Sequence, residues 1–179
     1  MCQQVAPAQR GIALLSAAGN QQAIEPFEVA AARRDPAAAE RLGDIFSSGD
    51  VGPKDYKLAA AWYRVAFALG RASAAAKLGA LYAGGLGVRK DPLAAVELLG
   101  YAARSGDADA FYRLGRIADG AADSVSGRLV AYVLFSLGAA LGSREAAEAG
   151  AKLSASLRAP ERGAAQAAVG AVWSTLGRQ

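Results

Sequence analysis

Carboxylates and cations are the only groups in this chain plentiful enough to do chemistry. Its 179 residues include no histidine and one cysteine, Cys2. Without an imidazole there is no Ser-His or Cys-His nucleophile pair and no HExxH-type metal site. A lone thiol cannot form an internal disulfide, and zinc prefers thiolate and imidazole ligands. No GxxxxGK[ST] loop is present, and Gly84-Gly85-Leu86-Gly87 follows no strand. It reads as an inter-helix turn rather than a phosphate cradle. Two carboxylate pairs remain. Glu40 and Asp44 are four residues apart, on one helix face, and Asp107 and Asp109 stand near a helix start. Paired carboxylates can hydrolyse glycosides. The simpler reading makes Asp107 a cap and places Glu40 and Asp44 on a solvated face beside Arg41. No catalytic, cofactor-binding or metal-binding residue is therefore assigned, and the chain is not expected to be an enzyme.

Binding has a better candidate. Arg41, Lys77 and Arg113 recur at a spacing of 36 residues. Asp44 and Arg116 add charge of mixed sign at a neighbouring register, and Tyr112 stands beside Arg113. Three cations at one register of three stacked helices would form a ladder with rungs about 10 Å apart. Such a ladder suits an acidic peptide segment of a partner protein. The opposing reading is that exposed Arg and Lys simply keep the surface soluble. Phe111 replaces alanine at the Ala75 position, either to fill the core differently or to serve as an anchor, since aromatics and arginine are over-represented in binding hot spots.

The elements that must position these residues follow from the same spacing. Ala38, Ala74, Ala110 and Ala146 are 36 apart, as are Leu42, Leu78 and Leu114. Gly43, Gly79 and Gly115 repeat, and so do Ala59, Ala95 and Ala131, and Gly70, Gly106 and Gly142. Each unit reads as two helices. Ala38, Leu42, Ile45 and Phe46 lie on one helical face, and so do Ala59, Trp62, Tyr63 and Ala66. Asp35-Pro36 supplies an N-cap and a first-turn proline, repeated by Asp91-Pro92, while Asp55 caps the intervening helix. Gly70 ends that helix, because glycine tolerates the left-handed conformation found there. Gly43, Gly79 and Gly115 each sit inside a helix at a cost of about 1 kcal/mol relative to alanine. They are expected to admit a neighbouring backbone.

The pattern predicts one all-α domain, an α-solenoid. Residues 1–34 form a degenerate opening, with Glu25–Arg34 at the register of a second helix. Units span 35–70, 71–106 and 107–142. Residues 143–179 supply two capping helices, split at Ala159-Pro160-Glu161, with Val169, Val172, Trp173 and Leu176 on the apolar face of the last. The third unit lacks the glycine-rich turn and carries Asp119–Arg128 instead, without loss of length.

Alanine dominates the apolar residues, aromatics are few, and 21 glycines against six prolines suit short helices with tight turns. Net charge is +4, with no concentrated basic patch, so no nucleic-acid role is expected. The apolar stretch Gly11–Gly19 is far short of the roughly 20 residues of a membrane span. Met1-Cys2-Gln3-Gln4 fits an ordinary start, and also a start codon placed before the lipid-bearing cysteine of a processed lipoprotein.

These residues resemble the Sel1-like repeat family, which is TPR-like. The second unit carries the pattern Ala74-x-x-x-Leu78-Gly79-x-x-Tyr82-x-x-Gly85-x-Gly87-Val88-x-x-Asp91-x-x-x-Ala95, followed by Ala102 and Gly106. Trp62-Tyr63 matches the tryptophan–tyrosine position, and the helix with Pro160, Glu161, Gln166 and Trp173 looks like the closing helix of some bacterial members. The resemblance implies a right-handed α-solenoid of antiparallel helix pairs. It implies an adaptor or scaffold, bacterial and with an envelope setting favoured over a cytoplasmic one, that binds a partner on a concave face lined by the first helix of each pair. That places Arg41, Asp44, Lys77, Tyr112, Arg113 and Arg116 on the binding face. A carbohydrate or cell-wall binder, as in polysaccharide export, is the alternative. The paired cysteines of some secreted members are missing, so nothing of that subgroup is carried over. Partner identity and oligomeric state are not legible.

Overall fold

The computed structural model describes residues 24–120 and 125–176. Regular structure among the described residues is entirely helical. In chain order the helices are α1 (Ile24–Ala32), α2 (Pro36–Ser48), α3 (Tyr56–Ala68), α4 (Ala72–Gly84), α5 (Pro92–Arg104), α6 (Ala108–Gly120), α7 (Val125–Ala140), α8 (Arg144–Ser156) and α9 (Ala159–Leu176). The expected units therefore hold α2–α3, α4–α5 and α6–α7, with α8–α9 behind them. Cys2 and the Gly11–Gly19 stretch lie outside the described residues, as do the side chains of Trp173 and Leu176.

The helix ends explain why the period is so regular. Gly70, Gly106 and Gly142 are all left-handed, at φ +93°, +84° and +96°. After each, the next N–H reaches back to close the preceding helix: Arg71 to Ala66 O at 3.0 Å, Asp107 to Ala102 O at 3.1 Å, and Ser143 to Gly138 O at 2.9 Å. This is the glycine-centred closure that satisfies orphan carbonyls. The same residues open the following helix. Asp35, Asp107 and Ser143 accept from backbone N–H groups two or three residues on. Arg71 stands at that register without a side-chain cap. Between the helices of a unit, the Asp55 N–H donates to Phe46 O at 2.8 Å and the Asp91 N–H to Tyr82 O at 3.0 Å. The turn that ends in Asp91 also has a steric demand. Gly87 has φ +65°, and a Cβ there would lie 2.2 Å from the carbonyl carbon of Tyr56. Only glycine lets that turn lie on the start of α3.

Gly43 and Gly115 admit a side chain, not the backbone that the sequence suggests. A Cβ on Gly43 would fall 2.4 Å from the ring of Tyr63, and one on Gly115 would fall 2.5 Å from the ring of Phe135. Both aromatic residues are buried, at 3% and 1% exposure. Burying a large side chain stabilises by about 1.5–3 kcal/mol, which exceeds the roughly 1 kcal/mol cost of a helical glycine. Tyr63 and Phe135 share a register, 72 residues apart, and Leu99 between them is fully buried too.

The helices group into two compact units, residues 1–98 and 99–179, divided within α5, where the sequence reads as one continuous stack. In the first, α2 packs between α1 and α3, and α4 packs on α3. Phe27, Leu42, Ile45, Tyr63, Leu78 and Leu81 fill a core otherwise made of alanine. Trp62 is only half-buried at its edge. In the second unit α7 is central, touching α6, α8 and α9. It has 16 residues against 13 in α3 and α5. The extra turn is N-terminal, so Arg128, at the register where α3 and α5 begin, lies inside a helix. Residues 121–124, part of the Asp119–Arg128 stretch, lie outside the described residues.

Candidate functional site

The first helix of each unit presents a polar face. In the first unit it meets the corresponding face of the next first helix in a shallow groove of about 320 Å³, bordered by α2 and α4. The groove is occupied by the protein's own charges. Lys77 on α4 reaches Glu40 Oε1 at 2.9 Å and Asp44 Oδ1 at 2.6 Å. The Nε of Arg71 donates to Glu40 Oε2 at 2.5 Å. Arg71 thus has no capping side chain at its register but holds a carboxylate across the groove. Burial pushes the Glu40 carboxyl up, but the bonds from Lys77, Arg71 and Ser73 outweigh it and hold the group below the usual carboxylate range. Such a group keeps its charge and is a poor general acid at neutral pH.

Tyr63 forms the floor. Its hydroxyl donates to Asp44 Oδ1 at 3.0 Å and lies 3.0 Å from the Ser47 hydroxyl. The Lys77 ammonium sits 5.8 Å from the ring centroid, within cation–π range. Burial above all, and then the negative charge of Asp44, push the phenol well above its ordinary pKa.

The second unit repeats this geometry with different chemistry. A 72-residue shift carries Glu40 to Tyr112, Asp44 to Arg116, Tyr63 to Phe135, Arg71 to Ser143 and Lys77 to Ala149. The groove between α6 and α8 is larger, about 600 Å³, with Tyr112, Phe135 and Leu153 among its apolar lining. The Tyr112 ring lies 6.0 Å from Phe135, tilted by 38°. Arg116 donates to the Tyr112 hydroxyl at 3.0 Å and lies 5.9 Å from its ring centroid.

The six residues assigned to the binding face from sequence fall on first helices, Arg41 and Asp44 on α2, Lys77 on α4, and Tyr112, Arg113 and Arg116 on α6. Arg41, Asp44 and Lys77 come together in the first groove, and Tyr112 and Arg116 line the second. The three cations differ in availability. Arg41 makes a 3.7 Å contact with the half-buried Asp44, and Arg113 a 3.2 Å contact with the exposed Asp109, each one helical turn away; contacts that leave the arginine in solvent are weak. Lys77 is committed inside the molecule. Glu40 does not lie on the solvated face read from the sequence. It is 6% exposed, because Arg71 and Lys77 cover it. Phe111 is half-buried and packs against Gly138. Sequence reasoning missed Arg71, Arg128 and Lys152. The 36-residue period could have found Lys152, which falls at the register of Asp44 and Arg116. Among the described residues no cluster of metal-ligating side chains occurs, and no helix is long and apolar enough to cross a membrane.

Residues 36–70 and 72–107 match the model of the Sel1 repeat. The protein resembles a Sel1 repeat protein from Oxalobacter formigenes, with 27% identity and a TM-score of 0.66 over 78% of this chain and 57% of that one. It also resembles c5321, a protective antigen of uropathogenic Escherichia coli with an SLR fold, with 27% identity and a TM-score of 0.59 over 69% of this chain and 27% of that one. A third similar structure is the cysteine-rich protein B of Helicobacter pylori, with 29% identity and a TM-score of 0.47 over 50% of this chain and 68% of that one. The chain thus spans less than two thirds of the first two structures. No curated protein sequence matches it.

Proposed function

From its two tandem Sel1 repeats, we propose that this protein is a non-catalytic interaction module that holds a segment of another protein against the polar face of its first helices. The observation that carries this reading is the repeat itself. It places residues of one register on the first helix of each repeat, and their chemistry changes from repeat to repeat while the alanine and glycine framework stays constant. A scaffold that keeps its core and varies one face is built for recognition. On this reading Arg41, Asp44, Tyr112, Arg113 and Arg116 meet the partner. Lys77 contributes mainly by holding α2 to α4. The partner is an acidic protein segment, and the bacterial envelope is the proposed setting.

Affinity capture from the source cell tests this. The control is the double variant Arg41→Glu with Arg113→Glu, which leaves the Glu40–Lys77 contacts intact. A protein retained by the parent and lost by the folded variant is the expected result. Equal retention by both would remove these two residues from the site, and no specific retention by the parent would count against the interaction role.

A further inference from the structure

We propose that the groove between α6 and α8 is a docking site for a peptide carboxylate flanked by an apolar side chain. This deepens the interaction reading above and rests on it. The comparison of the two grooves carries it. In the first unit a carboxylate pair on α2 is met across the groove by Lys77 and Arg71. In the second unit the carboxylate pair on that wall is gone. Tyr112 replaces Glu40 and Arg116 replaces Asp44, while the facing positions are Ser143 and Ala149, which carry no charge. Nothing from α8 reaches across as Lys77 does, and the opening is about 600 Å³ rather than about 320 Å³. That volume suits a short stretch of peptide side chains.

The polar lining points to an anion. Arg128 borders the groove, and its Nε is buried with no hydrogen-bond acceptor. A buried guanidinium donor left unsatisfied is costly, and a carboxylate is its best acceptor. Glu161 feels the Arg128 charge, but its hydrogen bonds come from the backbone N–H and guanidinium of Arg158. Arg116 bonds to a phenol rather than a carboxylate, and Lys152 adds a third cation to the lining. Two of the three acidic residues there have local explanations. Glu145 lies in the first turn of α8, where the helix dipole favours it, and Glu148 faces Arg144 at 3.7 Å. Asp119 opposes an acidic ligand and so provides a test of opposite sign. The Tyr112 ring and Leu153 supply the apolar contact beside the cations.

The test is selection of random short peptides displayed on phage against the whole chain. The strongest binder is then titrated as a labelled synthetic peptide by fluorescence anisotropy. Enriched peptides should place Asp or Glu beside a large apolar residue. Affinity should fall about tenfold or more in Arg116→Gln and in Arg128→Gln, as expected for loss of a charged hydrogen bond. It should rise in Asp119→Asn and stay unchanged in Arg89→Gln, an exposed residue of the turn between α4 and α5, with circular dichroism reporting the fold of each. Absence of enrichment, enrichment of basic peptides, or an acidic peptide indifferent to all three groove variants would overturn the proposal. Self-association abolished by the same variants would also overturn it, by making a second copy the occupant. If cellular capture persists while the groove variants have no effect, the interaction role stands and this site falls.

Discussion

Gly43 and Gly115 are the residues on which the packing of each unit turns. Each gives up about 1 kcal/mol of helix propensity to let an aromatic ring pack closely against its helix. Gly43→Ala should therefore destabilise by about 1–3 kcal/mol, because the new methyl collides with the Tyr63 ring. Gly163→Ala, in α9 where a Cβ meets nothing within 4 Å, should stabilise by up to about 1 kcal/mol. Urea denaturation of the pair separates packing from propensity. Glu40 permits a second prediction. Its folded pKa lies below the ordinary value of 4.5, so the native state holds the ionised form more firmly than the unfolded chain does. That stability is fully present above the unfolded pKa and is lost as pH falls through the folded one. Glu40→Gln should cost about 1–3 kcal/mol at neutral pH, and its stability should fall less than the parent's between neutral pH and strongly acid pH. Thermal melts over that range measure both effects.

Helix ends were legible in the sequence, and contacts between helices were not, for a physical reason. A cap is a local event. Asp35, Asp55 and Asp91 bond to N–H groups two or three residues away, so residue type and position suffice. Ser143 belongs to the same class, and Ser143→Ala should cost about 1 kcal/mol, visible as a lower melting temperature. The Glu40 clamp is not local. It joins residues 31 and 37 positions apart on different helices, and only the spacing of packed helices shows that they meet. The glycine–ring contact was recoverable, because Tyr63, Leu99 and Phe135 repeat at the glycines' own period. Arg128 was not, because its placement depends on α7 starting a turn early, within a stretch where the repeat pattern fades.

At the scale of the molecule, a constant framework carries a variable face. Alanine at 0% exposure recurs through both units, from Ala39 and Ala59 to Ala131 and Ala146, while the first-helix register changes from Glu40 to Ala76 to Tyr112 to Glu148. That division of labour is the basis of the proposed role, and charge gives it a measurable signature. A partner held by exposed cations loses affinity as salt screens them. The decisive measurement is a titration of the purified captured partner into this protein at low and at high ionic strength, with the Arg41→Glu, Arg113→Glu variant alongside. The account predicts saturable binding that weakens with salt and is lost in the folded variant. Binding that is unchanged by salt and by the variant, or no direct binding of the purified partner, would contradict it.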